Sequence, residues 1–208
     1  MNTTTHEGQM KQKLKTKVDA FKALELKMQA KNLPLKKTAL NLVFGAGSLD
    51  PKAMFIGEAP GANEDKQGLP FVGSAGKHLE RLLNLIKLTR DEVFITSIIK
   101  YRPPKNRQPT FSEIKAHTPF LADQIRIIQP KLIVTLGNFA TRFILSGLDI
   151  KKMSQIKGIS QIHGQAVTIE FEGRGLLVLP VYHPAALIYN PSLKEALQKD
   201  FQQINTLI

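Results

Sequence analysis

Short apolar runs alternate along the chain with longer segments whose apolar residues recur every three or four positions. Runs that are apolar throughout, typical of buried strands, occupy 53–56, 93–96, 132–136 and 176–180. Helical spacing is found at about 9–30, 74–87, 113–128, 138–145 and in a last helix that carries Leu193 to Ile204. Apolar strands separated by helices are typical of a parallel sheet covered on both faces. The pattern predicts one three-layer α/β/α domain over 9–208, with a central, mainly parallel sheet of about four strands, after a disordered tail at 1–8.

Capping and turn residues mark several boundaries of these elements. Thr110 and Glu113 have the spacing of a capping box, which predicts that a helix begins there. Asn190-Pro191 suits the start of the last helix. The segment 167–171 lies between Gly164 and Gly173, which predicts an edge strand or one arm of a hairpin.

Charge and composition narrow the classes of protein. Lysine plus arginine is 29 against 17 acidic residues, so the net charge is +12, which favours a polyanionic partner such as nucleic acid or an acidic membrane surface. The absence of cysteine excludes disulfides, thiolate zinc sites, cysteine nucleophiles and thiolate-held iron–sulfur clusters. No apolar run approaches the ~18–20 residues of a membrane span, and the polar first ten residues are not a secretory signal. We expect a monomeric cytoplasmic protein, nucleoid-associated in a bacterium, with no membrane partner.

The first predicted helix is rich in lysine. Its lysines form either a solvated face or a basic strip near a phosphate backbone, and they are Lys11, Lys13, Lys15, Lys17, Lys22 and Lys27.

Unusual residues follow each predicted core strand, where ligands bind in open parallel sheets. The four segments are 57–76, 97–107, 137–138 and 182–185. We expect them to converge on one edge of the sheet.

The glycine-rich segment 57–76 has the spacing of neither a dinucleotide fingerprint nor a Walker loop. Glu58 is either a carboxylate that accepts backbone amides or a catalytic base. Phe71 is either a core aromatic that anchors the loop or a platform that stacks on a base. Glu64 and Asp65 are interpreted as solvated side chains. Glu64 has an alternative role as a second candidate catalytic carboxylate.

Three further features point to phosphate or to catalysis. Ser74, Ala75 and Gly76 open a helix, and the free amides of a helix N-terminus bind phosphate. His183 directly follows a strand, which favours a catalytic role over a structural one. The proline-stiffened segment 100–107 is basic with almost no acid nearby, which indicates phosphate contacts.

Together these motifs resemble those of family 4 uracil-DNA glycosylases. The resemblance rests on Gly-Glu-Ala-Pro-Gly, Glu-Asp and Gly-x-Pro-Phe-Val-Gly-x-Ala-Gly within 57–76, on Lys-x-Arg-Pro-Pro-x-Asn-Arg at 100–107, and on His-Pro-Ala at 183–185. It runs from about Val43 to Leu207.

The resemblance implies hydrolysis of the N-glycosidic bond of uracil, or of a related deaminated base, in DNA. It implies that Glu58 activates water, with Glu64 as second candidate, and that His183 hydrogen-bonds the departing base. Phe71 stacks on that base, while Ala59 and Ser97 lie along its edge. The residues expected to contact DNA are Ser74, Ala75, Gly76, Lys100, Arg102, Lys105, Asn106, Arg107 and Pro184. No metal or organic cofactor is expected.

The chain departs from the family pattern in three ways. Family members hold a [4Fe–4S] cluster with four cysteines, whose positions correspond here to about Ala30 and Leu33 and to Tyr101 and His117. We therefore expect no cluster, with Leu33 and Tyr101 packing as apolar fill. Ser97 stands where the family usually has an asparagine that reads the uracil edge. The arginine-rich insertion by which a related branch forms a covalent DNA adduct is absent, so no adduct is expected.

Two other classes remain open. One is a catalytically weak, lesion-sensing DNA-binding member, which Ser97 and the missing cysteines support. The other is a hydrolase of a nucleotide or similar phosphorylated ligand, against which the net charge of +12 and the basic loop argue.

Overall fold

The computed structural model describes residues 3–208 and contains a six-stranded sheet in the order β1-β3-β2-β4-β6-β5. The strands are β1 Ala46–Gly47, β2 Met54–Gly57, β3 Phe94–Ser97, β4 Leu132–Leu136, β5 Val167–Phe171 and β6 Arg174–Val181. The four central strands run parallel, while β1 and β5 pair antiparallel at the two edges. The predicted sheet and its edge strand at 167–171 are confirmed.

Helices cover both faces of the sheet. They are α1 Thr3–Ala30, α2 Ala62–Gln67, α3 Ser74–Leu85, α4 Phe111–Ile128, α5 Asn138–Leu145, α6 Ile159–Ile162, α7 Ala186–Tyr189 and α8 Lys194–Leu207. Short 3-10 turns lie at Arg90–Glu92, Pro104–Asn106, Ile150–Gln155 and Pro191–Leu193. Of the described helices, none is long and apolar enough to cross a membrane.

The alternation of side chains along each strand explains the three layers. In β2, Phe55 packs with residues of α3 and α8, such as Leu79 and Phe201. Its neighbours Met54 and Ile56 point to the other side, where α4 and α5 supply the packing. Because successive residues of a strand face opposite sides of a sheet, a strand that is apolar throughout needs helices on both faces.

The start of the domain differs from the expectation. Helix α1 begins at Thr3, so residues 3–8, expected to be part of a tail, belong to its first turns, while residues 1 and 2 lie outside the described chain. The helical spacing of apolar residues begins only near Leu14, and residues 3–8 include no large apolar residue from which a period could be read.

Two predicted helix starts are confirmed. Thr110 caps α4 in a capping box with Glu113. The Asn190 side chain accepts a hydrogen bond from the Ser192 amide and caps the turn that leads into α8.

A third apolar cluster joins the end of α1 to the segment after β3. It contains the buried side chains Leu24, Met28, Leu33, Phe44, Tyr101 and Phe120. His117 of α4 borders it, with its ring edge-on to Tyr101 at 5.9 Å between centroids. The His117 Nδ1 accepts the Lys100 amide at 3.0 Å.

These apolar side chains occupy the region to which the family resemblance assigns the four cysteines that bind the [4Fe–4S] cluster. Leu33 and Tyr101 are 8% and 4% exposed and pack as apolar fill, as expected. No thiolate is present, and His117 already uses Nδ1 as an acceptor. The side chains present therefore do not fit a [4Fe–4S] cluster.

We expect the purified protein to show no visible charge-transfer absorption. Prolonged incubation with a chelator and a reductant should leave its thermal unfolding midpoint unchanged, because apolar packing rather than metal–thiolate bonding joins α1 to the core. Iron and acid-labile sulfide assays, with thermal unfolding before and after treatment, check this. Iron and sulfide near one cluster per chain would contradict it.

Candidate active site

A cavity of about 600 Å³ opens at the carboxyl edge of the sheet. Residues from 57–76, 97–107 and 183–185 line it, so three of the four expected segments converge there. The fourth lies behind the cavity, since a Cβ on Gly137 would come within 2.9 Å of the His183 Cβ. The side chain of Asn138 accepts a hydrogen bond from the Ile159 amide and so holds the segment after α5.

Close packing at the end of β2 places the aromatic ring of the site. Gly57 pairs with Ser97 in the parallel register of β2 and β3. A Cβ on Gly57 would lie 2.9 Å from the Phe71 ring, so a glycine is needed for the ring to approach the strand end. Phe71 is 8% exposed and also lines the cavity, so it belongs to both the core and the site.

The backbone at Phe71 has a positive φ of 53°, which is uncommon for a residue with a side chain. The Arg90 guanidinium donates hydrogen bonds to the carbonyls of Pro70 (2.6 Å) and Phe71 (3.1 Å). A Cβ on Gly76 would lie 1.8 Å from the Phe71 carbonyl oxygen, so the first turn of α3 closes tightly on this loop. These contacts hold Phe71 in its strained conformation.

Glu64 and Asp65 brace the loops around the cavity. Oε1 of Glu64 accepts hydrogen bonds from the amides of Val72 (2.9 Å) and Gly73 (2.8 Å). Asp65 is buried and accepts the amides of Leu40 and Asn41. The interpretation of Asp65 as a solvated side chain is therefore wrong. Glu64 holds the backbone at Val72 and Gly73 in place.

Glu58 is the carboxylate that remains free. Its carbonyl accepts the Ile99 amide at 3.2 Å, which fixes its backbone directly after β2. Within the described residues its carboxylate makes no hydrogen bond or ion pair, and it lines the cavity. Burial raises the pKa of Glu58 above its usual 4.5, because removal from water disfavours the charged form. Such a carboxyl group suits a general base or acid.

His183 presents a neutral imidazole to the same cavity. Its Nδ1 accepts a hydrogen bond from the Ala185 amide at 3.1 Å. Since an amide can only donate, Nδ1 carries no proton, and the neutral ring has its proton on Nε2. Burial lowers the pKa of His183 to about 4. At neutral pH the ring is therefore an uncharged donor, 5.7 Å from the Phe71 ring between centroids.

The prediction that Lys100 contacts DNA phosphate is wrong, because its side chain is buried. Its side chain is 0% exposed, and Nζ donates to the Thr96 hydroxyl and the Ser97 carbonyl, each at 2.5 Å. Because it lies three residues after the end of β3, its side chain folds back under the strand end. Burial lowers its pKa well below 10.5.

In the rest of the basic loop Arg102 is half-buried, the following residues 104–107 are exposed, and two of the basic side chains are paired. Arg102 donates from Nε to the Asn106 side chain at 2.7 Å, and Lys105 is exposed. Arg107 forms a two-pronged ion pair with Glu113, at 2.9 and 2.6 Å, which lowers the pKa of that carboxyl group to about 2. The expectation that almost no acid lies near the basic segment is therefore wrong for Arg107. Glu113 is six positions further along the chain, and in the folded protein it contacts the guanidinium group.

The remaining expected DNA contacts divide into exposed and buried residues. Ser74 is exposed at the start of α3, and Ala75 lines the cavity. Gly76 and Pro184 are buried, so the structure does not support them as phosphate contacts.

Two features of the site were missed from the sequence. Arg90 lies 19 residues after Phe71 along the chain, so only folding joins them. Tyr189, at the end of α7, is 87% exposed and lines the rim beside Ile188, which is 48% exposed. Two large apolar residues a few positions after His183 were the available signal.

Fold and site together define an α/β protein whose strand-end cavity is lined by an aromatic side chain, a carboxyl group and a neutral imidazole donor. The family model "Uracil DNA glycosylase superfamily" matches residues 44–206. The chain belongs to this superfamily, as its motifs indicated.

Individual relatives agree with this assignment. The chain is 43% identical over 181 residues to the type-4 uracil-DNA glycosylase of Sulfurisphaera tokodaii, covering 86% of this chain and 80% of the relative. It is 40% identical over 177 residues to the type-4 enzyme of Thermotoga maritima, covering 84% and 87%. It is 31% identical over 159 residues to the type-5 uracil-DNA glycosylase of Pyrobaculum aerophilum, covering 69% and 66%.

Replacing Gly57 should disturb the site through its contact with Phe71. We expect Gly57→Ala to destabilise the fold by about 1–3 kcal/mol, as overpacking typically does, because the new methyl group meets the ring at 2.9 Å. Urea unfolding measures this.

Gly8→Ala is the matched control, since a Cβ there meets no atom within 4 Å; it should stabilise α1 by up to about 1 kcal/mol. Gly57→Ala combined with Phe71→Leu should cost less than the sum of the two single changes. Strict additivity would show that the ring does not pack on Gly57.

Proposed function

We propose that this chain is a DNA glycosylase that hydrolyses the N-glycosidic bond of uracil, or of a related deaminated base, in DNA. The observation that carries the proposal is the strand-end cavity in which Glu58, Phe71 and His183 lie together. Membership of the superfamily and the activity named for the relatives support it.

The substrate base enters the cavity only after leaving the helix, because its glycosidic bond is inaccessible when the base is stacked. A cavity of about 600 Å³ is large enough to admit one nucleotide base. Phe71 then stacks on the flipped base, and the backbone at Ala59 lies along its edge.

The exposed pair Ile188 and Tyr189 is suited to occupy the space that the base leaves, since apolar side chains stabilise unstacked base steps.

Glu58 supplies the general base of the reaction. The bond between C1′ and the base nitrogen breaks, the sugar acquires positive charge, and water adds to C1′ as Glu58 accepts one of its protons. The ionised carboxylate also stabilises the cationic sugar. Its lack of other partners leaves both oxygens available for these roles.

His183 stabilises the departing base. As the bond breaks, negative charge develops on the uracil ring, and the Nε2–H of a neutral imidazole donates a hydrogen bond to its O2 oxygen. The Ala185 amide holds the ring in the tautomer that this step needs. Because burial lowers the pKa of His183 to about 4, no free-energy cost of deprotonation arises at neutral pH.

The DNA backbone is held by the exposed groups around the cavity. Ser74 and Ala75 at the start of α3 face a flanking phosphate. Arg102, Lys105 and Asn106 supply further phosphate contacts from the 3-10 turn.

One observation favours a second candidate, a lesion-sensing protein with weak excision. Ser97 lines the cavity and is 3% exposed, but the donor and the acceptor of its short hydroxyl share one oxygen. It therefore cannot contact two positions of the uracil edge separately, as the amide nitrogen and oxygen of an asparagine do. Recognition of uracil is then weaker, and less binding energy offsets the cost of unstacking.

Loss of either catalytic group should lower excision far more than DNA affinity. We expect His183→Ala to raise the barrier by roughly 2–4 kcal/mol, the effect of losing one oxyanion donor. Glu58→Gln should raise it by about 3–5 kcal/mol, because a general base contributes about 10²–10⁴ to a rate. Single-turnover excision at saturating protein measures the rate, and fluorescence anisotropy measures DNA binding.

The pH profile separates the two roles. Glu58 must be ionised, and its pKa lies above 4.5, so excision should fall as pH drops through that pKa. His183 stays neutral down to about pH 4 and does not set this acid limb. The limb should vanish in Glu58→Gln; its persistence, or unchanged rates in both variants, would overturn the mechanism.

The substrate itself is tested with oligonucleotides that carry uracil, hypoxanthine or xanthine, followed by alkaline cleavage of abasic sites. We expect uracil excision that is stronger on single strands than on paired DNA, because flipping costs least there. Ser97→Asn should raise it, because an amide offers its donor and its acceptor on two separate atoms. If Ser97→Asn instead abolishes cutting of another base, the cavity is built for that base; if no base is cut, the lesion-sensing alternative stands.

A further inference from the structure

Lys100 lies directly behind the cavity without reaching it. We propose that Lys100 is a positioning residue, which fixes Ser97 from behind and thereby sets how the cavity reads the edge of the base. The proposal rests on the proposed function and assigns a residue that neither the stacking nor the catalytic groups include.

The hydrogen bonds of Lys100 converge on the end of β3. Thr96 Oγ1 donates its proton to the Phe44 carbonyl at 2.9 Å, so it can only accept from Lys100 Nζ. The second bond from Nζ ends on the Ser97 carbonyl. The backbone amide of Lys100 is itself fixed by His117 Nδ1. The Lys100 carbonyl accepts the Val43 amide at 2.9 Å, so one residue ties together the strand end, α4 and the segment before β1.

The surroundings exclude the usual roles of a lysine. Within the described residues no carboxylate pairs with Lys100, so it does not balance an acid. Nζ is enclosed, so it does not reach a phosphate. His117 is the titratable side chain that its main chain contacts, and that imidazole has a pKa lowered to about 4 by burial.

The hydrogen-bond donors of a neutral Lys100 amine match the acceptors around it in number. A neutral amine has two N–H groups, and the structure offers two acceptors, Thr96 Oγ1 and the Ser97 carbonyl. Burial, which lowers the pKa of Lys100, favours the same neutral form. The side chain therefore acts through directed hydrogen bonds at the strand end.

The consequence for the site follows from the position of Ser97. Its carbonyl is held by Lys100, and Ser97 itself lines the cavity. The other end of the same peptide group is held by the Ile98 amide, which donates to the Gly57 carbonyl at 2.9 Å. Loss of the Lys100 bond leaves only that second contact, so the peptide group tilts and shifts the Ser97 side chain relative to the base. Small displacements of positioning groups lower a rate without lowering affinity, because backbone contacts dominate DNA binding.

Lys100→Met keeps the length of the side chain and removes both hydrogen bonds. With single strands that contain uracil, hypoxanthine or thymine, we expect single-turnover excision of uracil to fall by at least about tenfold, a misplacement effect. The ratio of uracil to hypoxanthine excision should change, while DNA affinity and its salt dependence stay as in the parent. Lys105→Met is the comparison, since loss of a phosphate contact should weaken affinity and reduce the slope against log salt by about 0.7.

Two further variants keep the test decisive. Thr96→Val preserves shape and removes one acceptor, so it should lower the rate in the same direction even if Lys100→Met does not fold, which thermal unfolding shows. In a cycle with Ser97→Ala, the double variant should lose no more than the worse single variant, because Lys100 acts through Ser97. The proposal would be overturned if the rate losses of Lys100→Met and Ser97→Ala multiplied in the double variant. An unchanged ratio of uracil to hypoxanthine excision in Lys100→Met would also overturn it, as would weaker DNA affinity with a shallower dependence on salt.

A parent protein that cuts no base would instead overturn the proposed function. Lys100 is then judged by binding alone: a preference for uracil over thymine strands that Lys100→Met abolishes supports the proposal. A parent without such a preference, or a preference kept in Lys100→Met, contradicts it.

Discussion

Parallel pairing of β2 with both β3 and β4 is the constraint on which the rest of the structure depends. It brings the ends of these strands to one edge, with Gly57 opposite Ser97. Helices must then cover both faces, because the strands are apolar on both sides. Every chemical group of the site is attached at or just beyond that edge, so the register of the sheet sets the distances among them.

Desolvation at this edge shifts the pKa values of the two catalytic candidates in opposite directions. Burial raises the pKa of Glu58 and lowers that of His183 to about 4. Both shifts favour the neutral forms, and above the pKa of Glu58 the carboxylate is ionised while the imidazole is uncharged. The other acids of the first motif, Glu64 and Asp65, accept hydrogen bonds from backbone amides. Among the described residues of that motif, Glu58 is the carboxylate without such a bond.

The packing around Tyr101 braces the end of α1 against the core. At the positions to which the family resemblance assigns cysteines, and around them, this chain buries Met28, Leu33, Phe44 and Tyr101 together. Apolar contacts are individually weak and non-directional, so the directed part of the brace comes from His117 and its bond to the Lys100 amide. That bond connects this apolar region to the end of β3, and so to the cavity.

The sequence by itself determined the parallel sheet, the caps at Thr110 and Asn190 and the convergence of the motif segments, because hydrophobic periodicity and strand-end placement are local signals. It did not determine which side chains face solvent. Lys100 and Arg107 stand in one basic run, yet one is buried beneath Ser97 and the other is paired with Glu113. Arg90 reaches Phe71 only across the folded chain. Solvent exposure and partners depend on contacts between distant segments, and only the tertiary structure decides these.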